Sequence, residues 1–204
     1  MKVIKIIGFS LLLGGSSYAQ NNNQQMAQKA IMDGNFKQAI VHLEKALVSD
    51  KGNINNLYML GYSYYHAGNY AKSVSTFDKL INLKPEETSA YYYRGKARNI
   101  IAMETINLSM PDREKYLLAS IRDFTKAIEL AAEDVKLYQN RGLAYKDYGT
   151  LRGQKTSVYF DKDLAATAFK SSLTDFEKVL ELSPGRRDIT SQIQDVKQHL
   201  KSLK

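Results

Sequence analysis

A period of 34 residues organises the hydrophobic and polar positions of this chain. Gly34-Asn35-Phe36 recurs as Gly68-Asn69-Tyr70, and the same shift superimposes small and apolar positions on one another. The aligned pairs are Ala39 with Ser73, Leu43 with Phe77, and Leu47 with Ile81. The pattern therefore predicts repeated units, each made of a helix, a Gly-Asn turn and a second helix.

The unit from Ile54 to Glu87 is the most regular, and its packing positions indicate the type of repeat. Leu57, Leu60-Gly61, Tyr64, Ser73, Phe77 and Pro85 stand at fixed spacings, with Leu80 near the end of the second helix. This arrangement resembles the tetratricopeptide repeat family, which usually has a small residue where Leu80 stands. Gly61 would let the two helices approach closely, and Ser73 would avoid crowding. The resemblance implies an all-α, right-handed superhelical solenoid of antiparallel helix pairs.

About four such units and a closing helix account for the chain after residue 19. They are a degenerate capping repeat at 20–53, a repeat at 54–87, two repeats with insertions at 88–134 and 135–185, and a C-terminal capping helix at 186–204. In the closing helix Asp188 can cap the N-terminus, and Ile189, Ile193, Val196, Leu200 and Leu203 recur at helical spacings. Arg98 departs from the family pattern, because it stands at the packing position that Tyr64 and Tyr145 fill.

Both insertions lie between the two helices of their repeat, on one edge, where they can pack together. In the first, Pro111 suits the first turn of a helix, so we expect the two helices simply to lengthen. The second, at 150–163, is expected to be less helical and carries Arg152, Lys155, Tyr159 and Phe160. It is either a partner contact or a solvated loop that packs its aromatic side chains on its neighbour, and the second interpretation is favoured.

The first residues have the order of a secretory signal peptide. Lys2 and Lys5 precede an apolar run at 6–13, and Ser17-Tyr18-Ala19 provides small residues for cleavage after Ala19. An uncleaved membrane anchor is the alternative, but the run is roughly half of the ~20 residues that a spanning helix needs. We therefore expect a periplasmic or secreted protein without residues 1–19 and without a membrane span.

The composition agrees with a helical exported domain. The chain has 204 residues, 44% of them hydrophobic, only 3 prolines and no cysteine, so its core forms without disulfides. Loss of Lys2 and Lys5 would reduce the 29 basic residues to 27 against 21 acidic ones, a net charge of +6. A mildly basic exported chain favours acidic protein segments or anionic envelope polymers over nucleic acid as partners.

The family resemblance also implies where a partner would bind. In such repeats the first helix of each unit lines a concave groove, and the groove-facing positions here are Tyr58, Tyr62, Tyr65, Tyr92, Lys96, Asn99, Gln139 and Lys146. Tyrosines offer contact area, and amides and lysines bind peptide backbone or carboxylates. Packing between repeats is the alternative role for these tyrosines. The family's carboxylate clamp is absent, since its positions hold Gln24, Gln28, Met59, Ser89 and Tyr93.

These features predict a protein-protein interaction scaffold or adaptor of the cell envelope, with no cofactor and no metal. The alternative is a self-associating structural subunit, or a binder of an anionic envelope polymer through basic residues such as Arg152, Lys155, Arg186 and Arg187. An enzyme is not expected, because no nucleophile, base or metal constellation can be assembled. His42, His66 and His199 lie far apart in the sequence. The sequence names neither the partner nor the oligomeric state.

Overall fold

The computed structural model describes residues 22–204, which are helical apart from short connections. The described part of α1 covers 22–32, followed by α2 (Phe36–Ser49), α3 (Ile54–His66), α4 (Tyr70–Leu83), α5 (Thr88–Glu104), α6 (Met110–Leu130), α7 (Val135–Arg152), α8 (Lys162–Leu182) and α9 (Arg187–Ser202). These residues contain no strand, and none of their helices is long and apolar enough to cross a membrane. The all-α prediction is confirmed. The expected signal peptide, 1–19, lies outside the described residues.

The described residues form two compact units, an N-terminal unit that ends at residue 85 and a C-terminal unit at 86–204. In the N-terminal unit α3 packs against both α2 and α4. In the C-terminal unit α5 packs on α6, α6 on α7, α7 on α8, and α8 on α9. Contacts between sequential helices are typical of a repeat solenoid, so the predicted architecture of helix pairs is confirmed.

The Gly-Asn turns form as predicted. Gly34 and Gly68 have φ values of 71° and 77°, in the left-handed region that glycine adopts without a steric penalty. Asn35 then caps α2, because its side-chain oxygen accepts a hydrogen bond from the backbone N–H of Gln38. The turn therefore both reverses the chain and starts the second helix.

A glycine and a buried serine join the two helices in three of the pairs. The serine hydroxyl donates to the glycine carbonyl oxygen, in Ser73 to Gly61 (2.9 Å), Ser120 to Gly95 (2.8 Å) and Ser172 to Gly142 (2.7 Å). A Cβ on these glycines would lie 2.8 Å from Phe77, 3.1 Å from Phe124 and 2.9 Å from Phe176, respectively. The predicted close approach at Gly61 is confirmed, and Ser73 also contributes a hydrogen bond between the helices.

The first insertion lengthens a helical hairpin, as expected. Helices α5 and α6 have 17 and 21 residues, where α3 and α4 have 13 and 14. Ser109 is the N-cap of α6, and Pro111 lies in its first turn.

The second insertion contains the expected less helical stretch, which is shorter than 150–163 because helix continues at both of its ends. Helix α7 continues to Arg152 and α8 begins at Lys162, which leaves 153–161 as the connection. Helix α8 starts early because the Asp161 side chain caps it, accepting hydrogen bonds from the backbone N–H groups of Asp163 and Leu164.

The closing helix α9 buries Ile189, Ile193 and Val196, as its spacing predicts. The expected cap is wrong: the N-cap residue is Arg186, and Asp188 lies inside the first turn. Asp188 instead binds the Arg186 guanidinium, with an Nη2–Oδ2 distance of 2.6 Å. An acidic side chain in the first turn still complements the helix dipole.

Candidate binding faces

Three predicted groove residues belong to a row of aromatic side chains along α3. The rings of Tyr58 and Tyr62 stack with their centroids 6.3 Å apart, and Tyr62 contacts His66 at 4.3 Å. Tyr65 meets His66 edge-on at 5.1 Å and Tyr70 at 5.7 Å. All three predicted tyrosines are half-buried, so each combines packing within the N-terminal unit with a surface that a partner can reach.

A cavity of about 510 Å³ lies beside this row and is called the α1–α3 cavity here. Its lining residues are Gln28, Ile31, Met32, Tyr58, Met59 and Tyr62. Met32 is 80% exposed at the edge of this cavity. Tyr58 and Tyr62 therefore line a concave apolar surface, whereas Tyr65 packs outside it.

Two predicted groove residues of the C-terminal unit, Tyr92 and Lys96, form a cation–π contact. The Lys96 ammonium lies 5.4 Å from the centroid of the Tyr92 ring. The Tyr92 ring also contacts the rings of Phe124 and Tyr93, with centroid distances of 6.2 Å and 5.1 Å. Tyr92 therefore contributes to the packing of the α5–α6 pair.

The other three predicted residues of this unit bind neighbouring helices. The Asn99 amide donates to Asp147 on α7 at 3.0 Å, and the Gln139 side chain accepts from Arg186 at 3.1 Å. Lys146 Nζ donates to Gln192 at 2.9 Å and to Asp195 at 3.0 Å, both on α9. Much of the polar capacity predicted for a partner is therefore used between repeats.

The half-buried Asp147 shows the electrostatic cost of this arrangement. Burial raises the pKa of Asp147, and the hydrogen bond from Asn99 and the charge of Lys146 offset part of that rise. Asn99 thus stabilises a carboxylate inside the C-terminal unit, which is a structural role that its place in the family pattern did not indicate.

Buried arginine–aspartate pairs are the main feature that the sequence analysis missed. Arg94 Nη2 lies 2.6 Å from Asp123 Oδ1, and Arg141 Nη2 lies 2.7 Å from Asp175 Oδ1. The two aspartates are only 3% and 2% exposed. Both arginines directly precede a glycine of a Gly-Ser contact, and both aspartates follow its serine by three residues, so comparing the third repeat with the fourth would have found the pairs.

Arg98 has a structural reason to replace the usual tyrosine. Its Nη1 atom lies 2.7 Å from Asp123 Oδ2, so it is a second cation on the same carboxylate. Burial raises the pKa of Asp123, and Arg94 and Arg98 counteract that effect. The departure from the family pattern is thus part of the α5–α6 packing.

The two insertions contact each other, as expected. Glu114 of the first accepts a hydrogen bond from Tyr148 at 2.9 Å, and Arg152 of the second lies 3.7 Å from the same carboxylate. Burial and the Glu114 hydrogen bond raise the pKa of Tyr148 to about 12. Tyr159 and Phe160 are 41% and 37% exposed, so neither is buried against a neighbour as the favoured interpretation expected.

The histidines have separate surroundings. His66 belongs to the aromatic row of α3, His42 contacts Asn23, and His199 stacks on Phe169 at 5.2 Å. Between residues 22 and 204, no group of three or more histidines and carboxylates could hold a metal ion.

The repeat geometry occurs in solved structures. The structure of YrrB, described as a TPR protein with an unusual peptide-binding site, is 17% identical and covers 87% of this chain and 76% of its own, with a TM-score of 0.65. This chain is built of tetratricopeptide-type repeats. MamA from Desulfovibrio magneticus RS-1 is 18% identical over 91% of this chain and 89% of its own, with a TM-score of 0.67. At such identities the likeness concerns the fold.

Sequence comparison supports the same type of repeat over part of the chain. The family described as anaphase-promoting complex, cyclosome, subunit 3 matches residues 32–98. No curated protein sequence matches significantly. The tetratricopeptide-type repeats identify an architecture that generally serves as an interaction scaffold, and the choice of partner must be argued from the faces described above.

Proposed function

We propose that this chain is a scaffold that binds a segment of another protein in the α1–α3 cavity. This proposal depends on one observation, the cavity itself. It is a depression of about 510 Å³ whose lining includes Met32, Met59, Tyr58 and Tyr62. Methionine adapts its shape to a ligand, and tyrosine provides a large contact area at a low entropic cost. These properties favour an amphipathic segment that inserts apolar side chains.

The shape of the surface supports a site in the N-terminal unit, because Tyr58 and Tyr62 line the open α1–α3 cavity. In the C-terminal unit the predicted groove residues Asn99, Gln139 and Lys146 bind other helices. The YrrB structure is described as having a peptide-binding site, which is the class of ligand proposed here. Arg152 and Arg186 make ion pairs within the chain, so a polymer-binding role through them is less favoured.

Replacing Tyr58 and Tyr62 together with alanine is expected to abolish partner binding. A buried aromatic anchor at an interface contributes ~2 kcal/mol or more, so the affinity should fall at least about 30-fold even if only one of the two tyrosines is such an anchor. The measurement is affinity capture from an extract of the source organism, identification of the retained protein, and titration of that purified protein. Tyr159→Ala is the matched control, because Tyr159 is exposed in the other unit.

Circular dichroism must show that the double variant is folded. Equal retention of one partner by the folded Tyr58/Tyr62 variant and the unchanged chain would rule out the α1–α3 cavity as its site. Capture of an anionic polymer instead, with binding that weakens steeply as salt is raised, would favour the alternative function.

The same proposal includes a place of action outside the cytoplasm, based on the signal-peptide pattern of residues 1–19. The expected result is that the exported chain begins at Gln20, as measured by intact mass and N-terminal sequencing after cell fractionation. A full-length chain in the cytoplasmic fraction would contradict export, and a full-length chain in the membrane fraction would support the uncleaved anchor.

A further inference from the structure

A second cavity, of about 560 Å³, lies between α2 and α4 and is called the α2–α4 cavity here. Its apolar lining includes the buried Leu57 and Leu60 and the half-buried Leu47, and its polar lining includes three exposed lysines, Lys51, Lys72 and Lys79. With about 3.6 residues per turn, Leu57 and Leu60 lie on roughly the opposite side of α3 from Tyr58 and Tyr62. The cavity is therefore separate from the proposed α1–α3 site.

Comparison between repeats explains why this space is open. In the third and fourth repeats the residue before the helix-packing glycine is Arg94 or Arg141, and each guanidinium binds a buried aspartate on the following helix. Arg141 also donates to Thr125 on the preceding helix at 3.2 Å, so its side chain bridges both second helices. In the second repeat the corresponding residues are Leu60 and Thr76, which carry no charges and form no bridge.

The polar lining has a clear excess of positive charge. Glu44 is the one acidic residue among the residues that line the cavity, against Lys51, Lys72 and Lys79. The Glu44 carboxylate accepts a hydrogen bond from the Tyr64 hydroxyl, and the Lys72 ammonium lies 5.3 Å from the Tyr64 ring. The lysines thus surround an apolar surface whose single carboxylate is already engaged.

The spacing of the lysines limits what can fill this cavity. Lys72 and Lys79 are seven residues apart on α4, which corresponds to about 10 Å along the helix axis. Residues at positions i and i+3 of an extended peptide are also separated by about 10 Å. A fatty acid offers one carboxylate to these two positions, whereas a peptide with two acidic residues at this spacing offers one carboxylate to each.

We propose that the α2–α4 cavity binds an acidic segment of a partner protein, with two carboxylates three residues apart and an apolar side chain between them. The carboxylates bind Lys72 and Lys79, and the apolar side chain packs on Leu57 and Leu60. The chain therefore has a second binding face behind α3, which does not depend on the α1–α3 cavity.

The test uses a labelled peptide with blocked ends, two glutamates three positions apart, leucines between them and Gly-Ser flanks. Fluorescence anisotropy with the purified chain at low salt measures its affinity. We expect saturable binding, and a loss of roughly three- to tenfold when both glutamates become glutamine, since two ion pairs with exposed lysines are removed. No saturable binding, or equal binding of the glutamine peptide, would overturn the proposal.

Two variants locate the peptide on the chain. Lys72→Glu with Lys79→Glu reverses the cavity charge and should weaken binding by more than about tenfold, while the matched control Lys197→Glu with Lys201→Glu on α9 should not. The variant Leu60→Arg with Thr76→Asp introduces the arginine–aspartate pair that the third and fourth repeats have at these positions. Its side chains should fill the cavity and abolish binding of the peptide. If the Leu60→Arg, Thr76→Asp variant does not fold, the Lys72→Glu, Lys79→Glu variant still tests the proposal, because both lysines are exposed.

Two further outcomes separate this face from its alternatives. The Tyr58/Tyr62 double alanine variant should bind the acidic peptide with the same affinity as the unchanged chain. A loss of peptide affinity in this variant would place the peptide in the α1–α3 cavity instead. Dodecanoate should not displace the peptide. Displacement by dodecanoate at concentrations below its micelle range would overturn the proposal in favour of a lipid carboxylate.

Discussion

Replacing Asp123 with alanine is expected to lower the free energy of unfolding of the C-terminal unit by about 3–5 kcal/mol. Asp123 is 3% exposed and binds Arg94 and Arg98 at 2.6 and 2.7 Å. Its removal leaves two guanidinium groups facing each other without a carboxylate, in a place where water is largely excluded. The measurement is chemical denaturation followed by circular dichroism, with hydrogen exchange to assign the affected unit.

The chain provides its own control for this experiment. The triple variant Arg94→Leu, Arg98→Tyr, Asp123→Thr copies the residues that the second repeat has at these positions, Leu60, Tyr64 and Thr76. It removes every charge of the cluster, so it should cost less than Asp123→Ala alone, because replacing a whole buried ionic group by neutral residues is often tolerated. A larger loss in the triple variant would show that the ionic cluster itself stabilises the fold.

Phe169→Ala is expected to cost about 3–5 kcal/mol of unfolding free energy, as is usual for a large buried aromatic side chain. Phe169 belongs to the lengthened part of α8, is 1% exposed and stacks on His199 of α9. A Cβ on Gly149 would lie 2.8 Å from its ring. The second insertion thus contributes core packing between its own hairpin and the closing helix.

Phe160→Ala is the control, because Phe160 stands in the same hairpin but is 37% exposed. It should change the unfolding free energy by about 0.5 kcal/mol or less, as surface substitutions usually do. Both values come from denaturant titrations of the purified chain. Similar losses for the two variants would mean that the connection at 153–161 is packed in solution, and a small loss for Phe169→Ala would show that the hairpin opens independently.

Much of the fold could be predicted because a repeat shows its packing positions several times. The spacing of Gly61, Ser73 and Phe77 was enough to place a close helix contact, since only glycine leaves room for the phenylalanine ring. Tyr58 and Tyr62 line an open surface, but their place in a partner-binding groove stays a prediction.

The rest depended on contacts that the family pattern does not contain. Lys146 finds its partners Gln192 and Asp195 on the closing helix, more than 40 residues away, so its spacing alone could not show that it is bonded. The arginine–aspartate pairs were missed because the period was read from the first two repeats, where Leu60 and Thr76 stand in their place. Asp188 was misplaced because several residues near a helix start can serve as its cap.

The Gly-Ser contact has a consequence for how such a chain can change in length. The serine follows its glycine by 12, 25 or 30 residues, yet the hydrogen bond is 2.9, 2.8 or 2.7 Å long. Added residues extend the free end of a hairpin while its anchored base keeps the same geometry. Evolution, or an engineer, can therefore vary the reach of one repeat, or graft a foreign peptide at its tip, without redesigning the stack beneath it.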